Sequence, residues 1–275
     1  MRRLAKMDNL FSVSTNTYHR FSLDDALDGI AAAGFKNVEL TAVKGWTEHV
    51  SAGMSDIELA DIKKKCEVHG LTPISLSGHC DLVDEARLLD FMANIELASR
   101  LGCKYIVTSI GEAHFGRNKE SSEALLISHI SRAVERCKKF GITMVLETHG
   151  EFGTGKSLAD ITRQINSPYL GINYDTANVV FYGKTLPDED IQTCIDQVKY
   201  VHLKEKAGAV DEWNFPALGK GFLKLDSVLE HLIKTKNRSP ISVEIEFTQA
   251  GPKDLAEVNK AVKDSFEFLN QLGVI

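Results

Sequence analysis

Residues 142–175 read ITMVLETHGEFGTGKSLADITRQINSPYLGINYD. One apolar run ends in Glu147, a polar loop leads into a helical pattern, and a second apolar run ends in Asp175. Two later segments repeat the design: YVHLKEK carries His202 and ISVEIEF carries Glu244. Each segment has the length and continuous apolar character of a buried parallel strand. Charged groups seldom sit at the end of such a strand without a partner. Three carboxylates and one imidazole, brought by four strands of one sheet, can converge on a divalent cation. In a β/α barrel that convergence falls at the C-terminal face, where such folds place their active sites.

Working outward, strand and helix patterns alternate along the whole chain. Strands are expected at 10–14, 37–41, 72–77, 104–109, 142–147, 170–175, 199–204 and 241–246. Helices are expected at 23–33, 55–69, 84–101, 121–140, 157–165, 188–196, 225–235 and 254–272. AAAGF, EVHGL, SRLGC and KKFGI each put a glycine where a helix stops and a strand follows. Eight β/α units without a Pro-rich or Ser-rich linker favour closure over an open sheet, giving an α/β chain with a single (β/α)8 TIM barrel over residues 1–275. The length of 275 residues is normal for one such barrel.

Composition narrows the function classes. Hydrophobic residues make up 43% and charged residues 25%, as in a globular protein with a large core. The net charge of -6 argues against a dedicated nucleic-acid binder, which needs a basic surface. The five cysteines form no CxxC pair and are expected as reduced, buried thiols of a cytoplasmic protein. The opening MRRLAKMDNLFSVS lacks the apolar stretch of a secretory leader, and no apolar run reaches membrane-spanning length.

One competing motif lies inside the opening stretch. GEFGTGKS, residues 150–157, satisfies the phosphate-binding pattern G-x4-G-K-[ST] between a strand and a helix. A nucleotide could rest on its backbone N–H groups, or Lys156 could contact a substrate phosphate. Against this, ETH separates the apolar strand from the loop, and four upstream β/α units go unused.

LETHG, NYDTAN, VHLKEK and SVEIEF, in that order at strand ends, resemble the xylose isomerase-like, or AP endonuclease family 2, barrel superfamily. GIAAAGFKNVEL and the GKG of LGKGFLKLD fit the same group. Within it the chain is most similar to the sugar phosphate isomerase/epimerase proteins. The resemblance implies one divalent metal ion (Mn2+, Mg2+, Co2+ or Zn2+) held by Glu147, Asp175, His202 and Glu244. It implies a small sugar or polyol substrate, with Glu147 and Glu244 also serving as acid and base. Homo-oligomers are frequent among such relatives. Proton transfer beside a carbonyl creates an enediolate, whose charge a divalent cation stabilises as a Lewis acid. The ligand types alone do not choose the metal. The rival on the same scaffold is a dehydratase of the inosose or dehydroshikimate type, the latter also carrying LETH. A polyol-binding barrel without turnover is the non-enzymatic reading.

Further candidates ring the same mouth. Glu244 and Glu246 share a face on a strand, so either can be the ligand, although the family pattern points to Glu244. Lys204 shares a face with His202 and can hold a substrate oxygen, or pair with Glu246 or Glu205. His149 shares a face with Glu147, and the resemblance of LETHG to the ENHG-type motif implies that it touches substrate or orients that glutamate. His79 ends the third strand. Asn178 stands three residues after Asp175, where many epimerases carry histidine. Asn is a poorer metal ligand, which favours a mononuclear small-molecule site over an abasic-site nuclease. Trp46, Phe115, Trp213 and Phe247 lie in loops able to wall a sugar ring, and Glu151, His19 and His49 are more distant candidates. His69, His129 and His231 fall on helices and read as structural or surface residues.

Overall fold

The protein was analysed as a computed structural model, which describes residues 3–111 and 123–275. Ten strands lie among the described residues. They are β1 (Phe11–Ser14), β2 (Asn37–Thr41), β3 (Thr72–Ser77), β4 (Tyr105–Thr108), β5 (Thr143–Glu147), β6 (Leu170–Asp175), β7 (Val198–Leu203), β8 (Asn214–Phe215), β9 (Ile241–Val243) and β10 (Phe247–Thr248). Strands β1 to β7 and β9 close in sequence order into a barrel whose pairings are all parallel, with β9 returning to β1. β8 and β10 form a separate antiparallel pair.

The helices follow the expected alternation: α1 (Leu23–Ala33), α2 (Asp56–Val68), α3 (Glu85–Leu101), α4 (Glu123–Phe140), α5 (Gly155–Ile165), the short α6 (Asn178–Phe181) and α7 (Pro187–Asp190), α8 (Leu225–Lys234) and α9 (Leu255–Leu272). Residues 121 and 122, expected to open the fourth helix, lie outside the described residues. Local chemistry sets the boundaries. Ser22 with Asp25 and Ser55 with Glu58 form reciprocal capping boxes at the starts of α1 and α2. Gly34 and Gly102 stop α1 and α3 at φ of 112° and 84°, values that other residues adopt only with strain.

Two expectations change. The helix at 188–196 is a single α turn, α7, followed by a 3-10 turn at Ile191–Thr193. The strand at 241–246 stops at Val243, because the chain then leaves the barrel. The Ile245 N–H bonds the Thr17 hydroxyl, the Glu246 N–H bonds Phe215, and Phe247 joins β8.

Strand alternation divides the barrel into two environments. Outward positions such as Val13, Leu40, Leu76, Ile106, Leu146 and Val201 are fully buried against the helices in one continuous core. Inward positions are largely polar. A small cluster of Val107, Val145 and Tyr200 fills part of the lumen. The Tyr200 hydroxyl bonds Ser75 at 2.6 Å and Ser12 at 3.4 Å. Apolar packing is therefore concentrated outside the sheet, and the upper lumen is free to carry chemistry.

The phosphate-loop pattern has a structural explanation. Thr154 caps α5 by accepting the Ser157 N–H, and the Asp190 carboxylate accepts the Gly155 N–H at 2.7 Å. A Cβ at Gly155 would lie 2.3 Å from the Cys194 sulfur, which accounts for glycine there. Lys156 points to the surface and pairs with Asp160. The Gly155 and Ser157 amides of that loop already hold internal oxygen acceptors. Asp190→Ala is expected to leave the buried Gly155 N–H without its acceptor, while the Tyr174 hydroxyl keeps the Pro187 carbonyl. The cost should be about 1–3 kcal/mol, read as a lower thermal midpoint with metal stoichiometry unchanged.

Candidate metal centre

Glu147 ends β5, Asp175 ends β6, His202 is the penultimate residue of β7, and Glu244 immediately follows β9. All four are buried. One ligand atom from each lies within 4.8 Å of the other three. The imidazole Nδ1 of His202 sits 2.6 Å from Glu147, 3.6 Å from Glu244 and 3.9 Å from Asp175.

Asp175 shows how the site is aimed. Its Oδ1 accepts the N–H groups of Ala177 and Asn178, both at 2.9 Å, at the start of α6. Its Oδ2 is buried and accepts no hydrogen bond, the Lys204 ammonium standing off at 3.7 Å and His202 Nδ1 at 3.9 Å. A buried carboxylate oxygen without a donor is costly unless a cation completes it. The donor set of three carboxylates and one imidazole, together with this orphaned oxygen, fits a divalent metal ion.

The surroundings orient each candidate ligand. The Nε2 of His202 bonds Glu39 of β2 at 2.9 Å, which turns Nδ1 toward the carboxylates. Glu39 also accepts the Ser75 hydroxyl. Glu147 accepts from Asn173 at 3.2 Å and bonds His79 at 2.9 Å, and His79 is held by Ser77. Asn16 donates to both Glu244 (3.1 Å) and Glu246 (3.2 Å), while its carbonyl oxygen accepts from Trp46 and Thr47. Glu39, Asn173 and Asn16 escaped the sequence reading. Glu39 had a usable signal, a lone carboxylate inside the apolar NVELT, and Asn173 lies two residues before Asp175 on the same face. Asn16 offered none.

Glu246 stands outside the group of four. It pairs with Lys204, whose ammonium also lies 3.1 Å from Glu244 and 3.7 Å from Asp175. Glu205 faces away and accepts backbone N–H groups of Lys206, Gly219 and Leu223. Burial would lower the pKa of His202, yet Glu39, Glu244 and Glu147 hold it well above the usual range. Burial would also suppress the Lys204 charge, but Glu244, Glu246 and Asp175 outweigh it. Burial raises the Asp175 carboxyl to about 7, with Lys204 opposing. Burial works against ionised Glu147, yet His79 and His202 keep its pKa well below the ordinary carboxylate value.

His149, Asn178, Lys204, His79, Trp213 and Glu246 line a small inner chamber beside the four ligands. Burial pushes the His149 imidazole down to about 4, so it is neutral near pH 7. A larger outer chamber is lined by Trp46, Trp213, Phe247, His19 and Glu151, among others. His49 does not join it, because its ring is buried and bonds the Phe21 carbonyl. His129 is structural, bonding Leu82 and Glu85, and His69 pairs with Asp28. Phe115 lies outside the described residues. No described helix is long and apolar enough to cross a membrane.

Metal binding requires neutral His202 and ionised Asp175. The carboxylates around His202 favour its protonated form in the metal-free site, and Asp175 takes a proton as pH falls through about 7. Mn2+ titration by calorimetry in buffers of different ionisation enthalpy should therefore show proton release. Affinity should drop about tenfold per pH unit for each proton released, and should be weaker at pH 6 than at pH 8.

Comparison with known proteins follows this geometry. Over 127 residues, 40% of this chain, the sequence is 24% identical to the probable endonuclease 4 of Oleidesulfovibrio alaskensis; the match spans 43% of that protein's length. Many solved structures share the fold, the following three among them. D-allulose 3-epimerase from Methylomonas sp. superposes with a TM-score of 0.77 at 17% identity, covering 99% of this chain and 100% of that one. A xylose isomerase-like TIM barrel protein from Mycobacterium smegmatis in complex with magnesium gives 0.76 at 15% identity, covering 96% and 98%. A probable 3-DHS dehydratase from Bacillus anthracis gives 0.71 at 17% identity, covering 94% and 98%. Residues 27–272 match the family described as xylose isomerase-like TIM barrel, and the chain belongs to that family.

Proposed function

We propose that this chain is a divalent-metal-dependent sugar isomerase or epimerase that moves a proton at the carbon beside a carbonyl. The observation that carries the reading is the gathering of four ligand atoms within 4.8 Å at the C-terminal mouth of the barrel, with one Asp175 oxygen lacking any donor. Glu147, Asp175, His202 and Glu244 would hold the metal. When bound, it supplies Lewis-acid stabilisation of the charge that develops as the proton leaves. The epimerase fold shared with the Methylomonas protein supports the same reading, and the magnesium of the Mycobacterium protein supports a hard divalent ion.

The remaining work falls to the chain's own groups. Glu147 is kept ionised by His79 and His202, so it can accept a proton. Glu244, steadied by Asn16 and Lys204, enters the mouth from a strand separated from β5 by β6 and β7. Two carboxylates so placed can exchange protons with different faces of one carbon. Lys204 and His149 supply a cation and a neutral imidazole to fix hydroxyl or carbonyl oxygens. Asn178 adds a hydrogen-bonding amide to the inner chamber.

A dehydratase on the same site has one observation in its favour. His149 lines both chambers and gives the site a further group able to hydrogen-bond a departing hydroxyl. Product analysis separates the two, since loss of water creates an ultraviolet-absorbing conjugated enone. With Mn2+ in heavy water, the isomerase reading expects solvent deuterium at the carbon beside the carbonyl of a ketose such as D-fructose or D-allulose, followed by NMR. Glu147→Gln or Glu244→Gln should slow this exchange by about 10²–10⁴-fold. Exchange that survives both substitutions unchanged would contradict the assignment.

A further inference from the structure

The inner chamber, about 20 Å³, shares Asn16, His149, Tyr182, Trp213 and Glu246 as lining with an outer chamber of about 750 Å³. The outer one falls within the range of about 300–1,000 Å³ typical of sites that bury drug-sized ligands, well beyond what one six-carbon sugar fills. Its wall is unusual for a site that handles only polyols. Phe152, Phe181, Tyr182, Trp46, Trp213 and Phe247 all line it, and all six are half-buried rather than packed away. Both tryptophans of the chain are among them. Contiguous exposed apolar surface in a cleft marks a ligand-binding wall.

The rings form two opposed groups. Trp46 follows β2 and stacks on His19 with centroids 4.1 Å apart and planes 12° apart, its indole N–H fixed to Asn16. Phe181 follows β6 and meets Trp213 and Tyr182 edge-on at 5.8 and 4.8 Å. β2 and β6 are four strands apart in the eight-stranded barrel, so these groups face each other across the mouth. Phe247 is held at φ 59°, a left-handed conformation that aromatic residues rarely adopt; such strain clusters at functional sites. Charge is sparse. Among the described lining residues Arg20, exposed at the rim, is the lysine- or arginine-type cation, and Glu151 and Glu246 are acidic.

We propose that the outer chamber binds an uncharged second ring carried by the substrate, sandwiched between the Trp46 and Phe181–Trp213 groups. The preferred substrate is then a sugar joined to an aromatic or a second sugar ring, not a bare or phosphorylated monosaccharide. The proposal rests on the reading that the sugar end reaches the Glu147–Glu244 site. Aromatic faces stack on aryl rings and on the apolar faces of sugar rings, so the two sources share one recognition chemistry.

The test is equilibrium binding to the Mn2+-loaded protein, followed by tryptophan fluorescence and calorimetry. The probes are phenyl β-D-glucopyranoside, cellobiose, methyl β-D-glucopyranoside and glucose 6-phosphate. At least one two-ring probe should bind tenfold or more tighter than the methyl glucoside. A phenyl preference identifies an aryl substituent, and a cellobiose preference a glycosyl one. The advantage should vanish in Phe181→Ala and in Trp213→Leu, a substitution that removes the aromatic face while retaining an apolar side chain. Mn2+ stoichiometry serves as the check that each variant is folded. Equal binding of one-ring and two-ring probes, tightest binding of glucose 6-phosphate, or no binding of any probe overturns the proposal. The readout needs no turnover, so a ring preference leaves the chamber assignment standing even where the separate deuterium-exchange test on ketoses contradicts the isomerase reading.

Discussion

Five carboxylates crowd the upper lumen of this barrel, four of them buried: Glu39, Glu147, Asp175, Glu244 and the half-buried Glu246. Charges in such surroundings repel strongly and are tolerated only with compensating partners. The imidazole of His202 lies between Glu39 and Glu147, and the ammonium of Lys204 lies among Glu244, Glu246 and Asp175. These two cations leave one Asp175 oxygen without a donor. That residual deficit points toward a divalent ion, and the polar inner faces of β1, β2 and β3 supply the hydroxyls and carboxylate that keep the surrounding groups in place.

The scaffold can sustain this because stability and chemistry occupy opposite faces of the same strands. Outward residues pack into the continuous apolar core beneath the helices. Inward residues carry the hydrogen-bonding network, with Tyr200 and two valines forming a modest apolar cluster in the lumen. A strand two residues out of register would carry Asn173 instead of Asp175 to the mouth, so parallel register is directly tied to the site. The turns after the strands then build the chambers, α6 after β6 and the β8–β10 pair after β7 and β9.

Much of this was legible in the sequence because strand-end carboxylates on apolar runs violate the usual burial rule. The eight strands follow from the alternation of patterns, and the positions of Glu147, Asp175 and His202 from that signal; the signal left Glu244 and Glu246 open, and only the family resemblance pointed to Glu244, the one gathered with the other three. Other features were not legible. ISVEIEF reads as one strand, yet tertiary hydrogen bonds from the Ile245 and Glu246 N–H groups to Thr17 and Phe215 pull the chain out of the barrel after Val243. GEFGTGKS reads as a phosphate loop, but the carboxylate that fills it, Asp190, lies 35 residues from Gly155. Asn16, which steadies Glu244 and Glu246 across 228 and 230 residues of sequence separation, sits in a short turn with no local mark. Long-range partners of this kind are set by topology, which single-residue patterns do not record.

The central claim is that Glu147, Asp175, His202 and Glu244 form one divalent-metal site. Its most direct test is the metal content of protein purified without chelator and then equilibrated with Mn2+, comparing wild type with Asp175→Ala and His202→Ala. The account predicts about one ion per wild-type chain, lost in both variants while the barrel remains folded. Wild-type protein that holds no ion under these conditions, or variants that retain it, would contradict the claim.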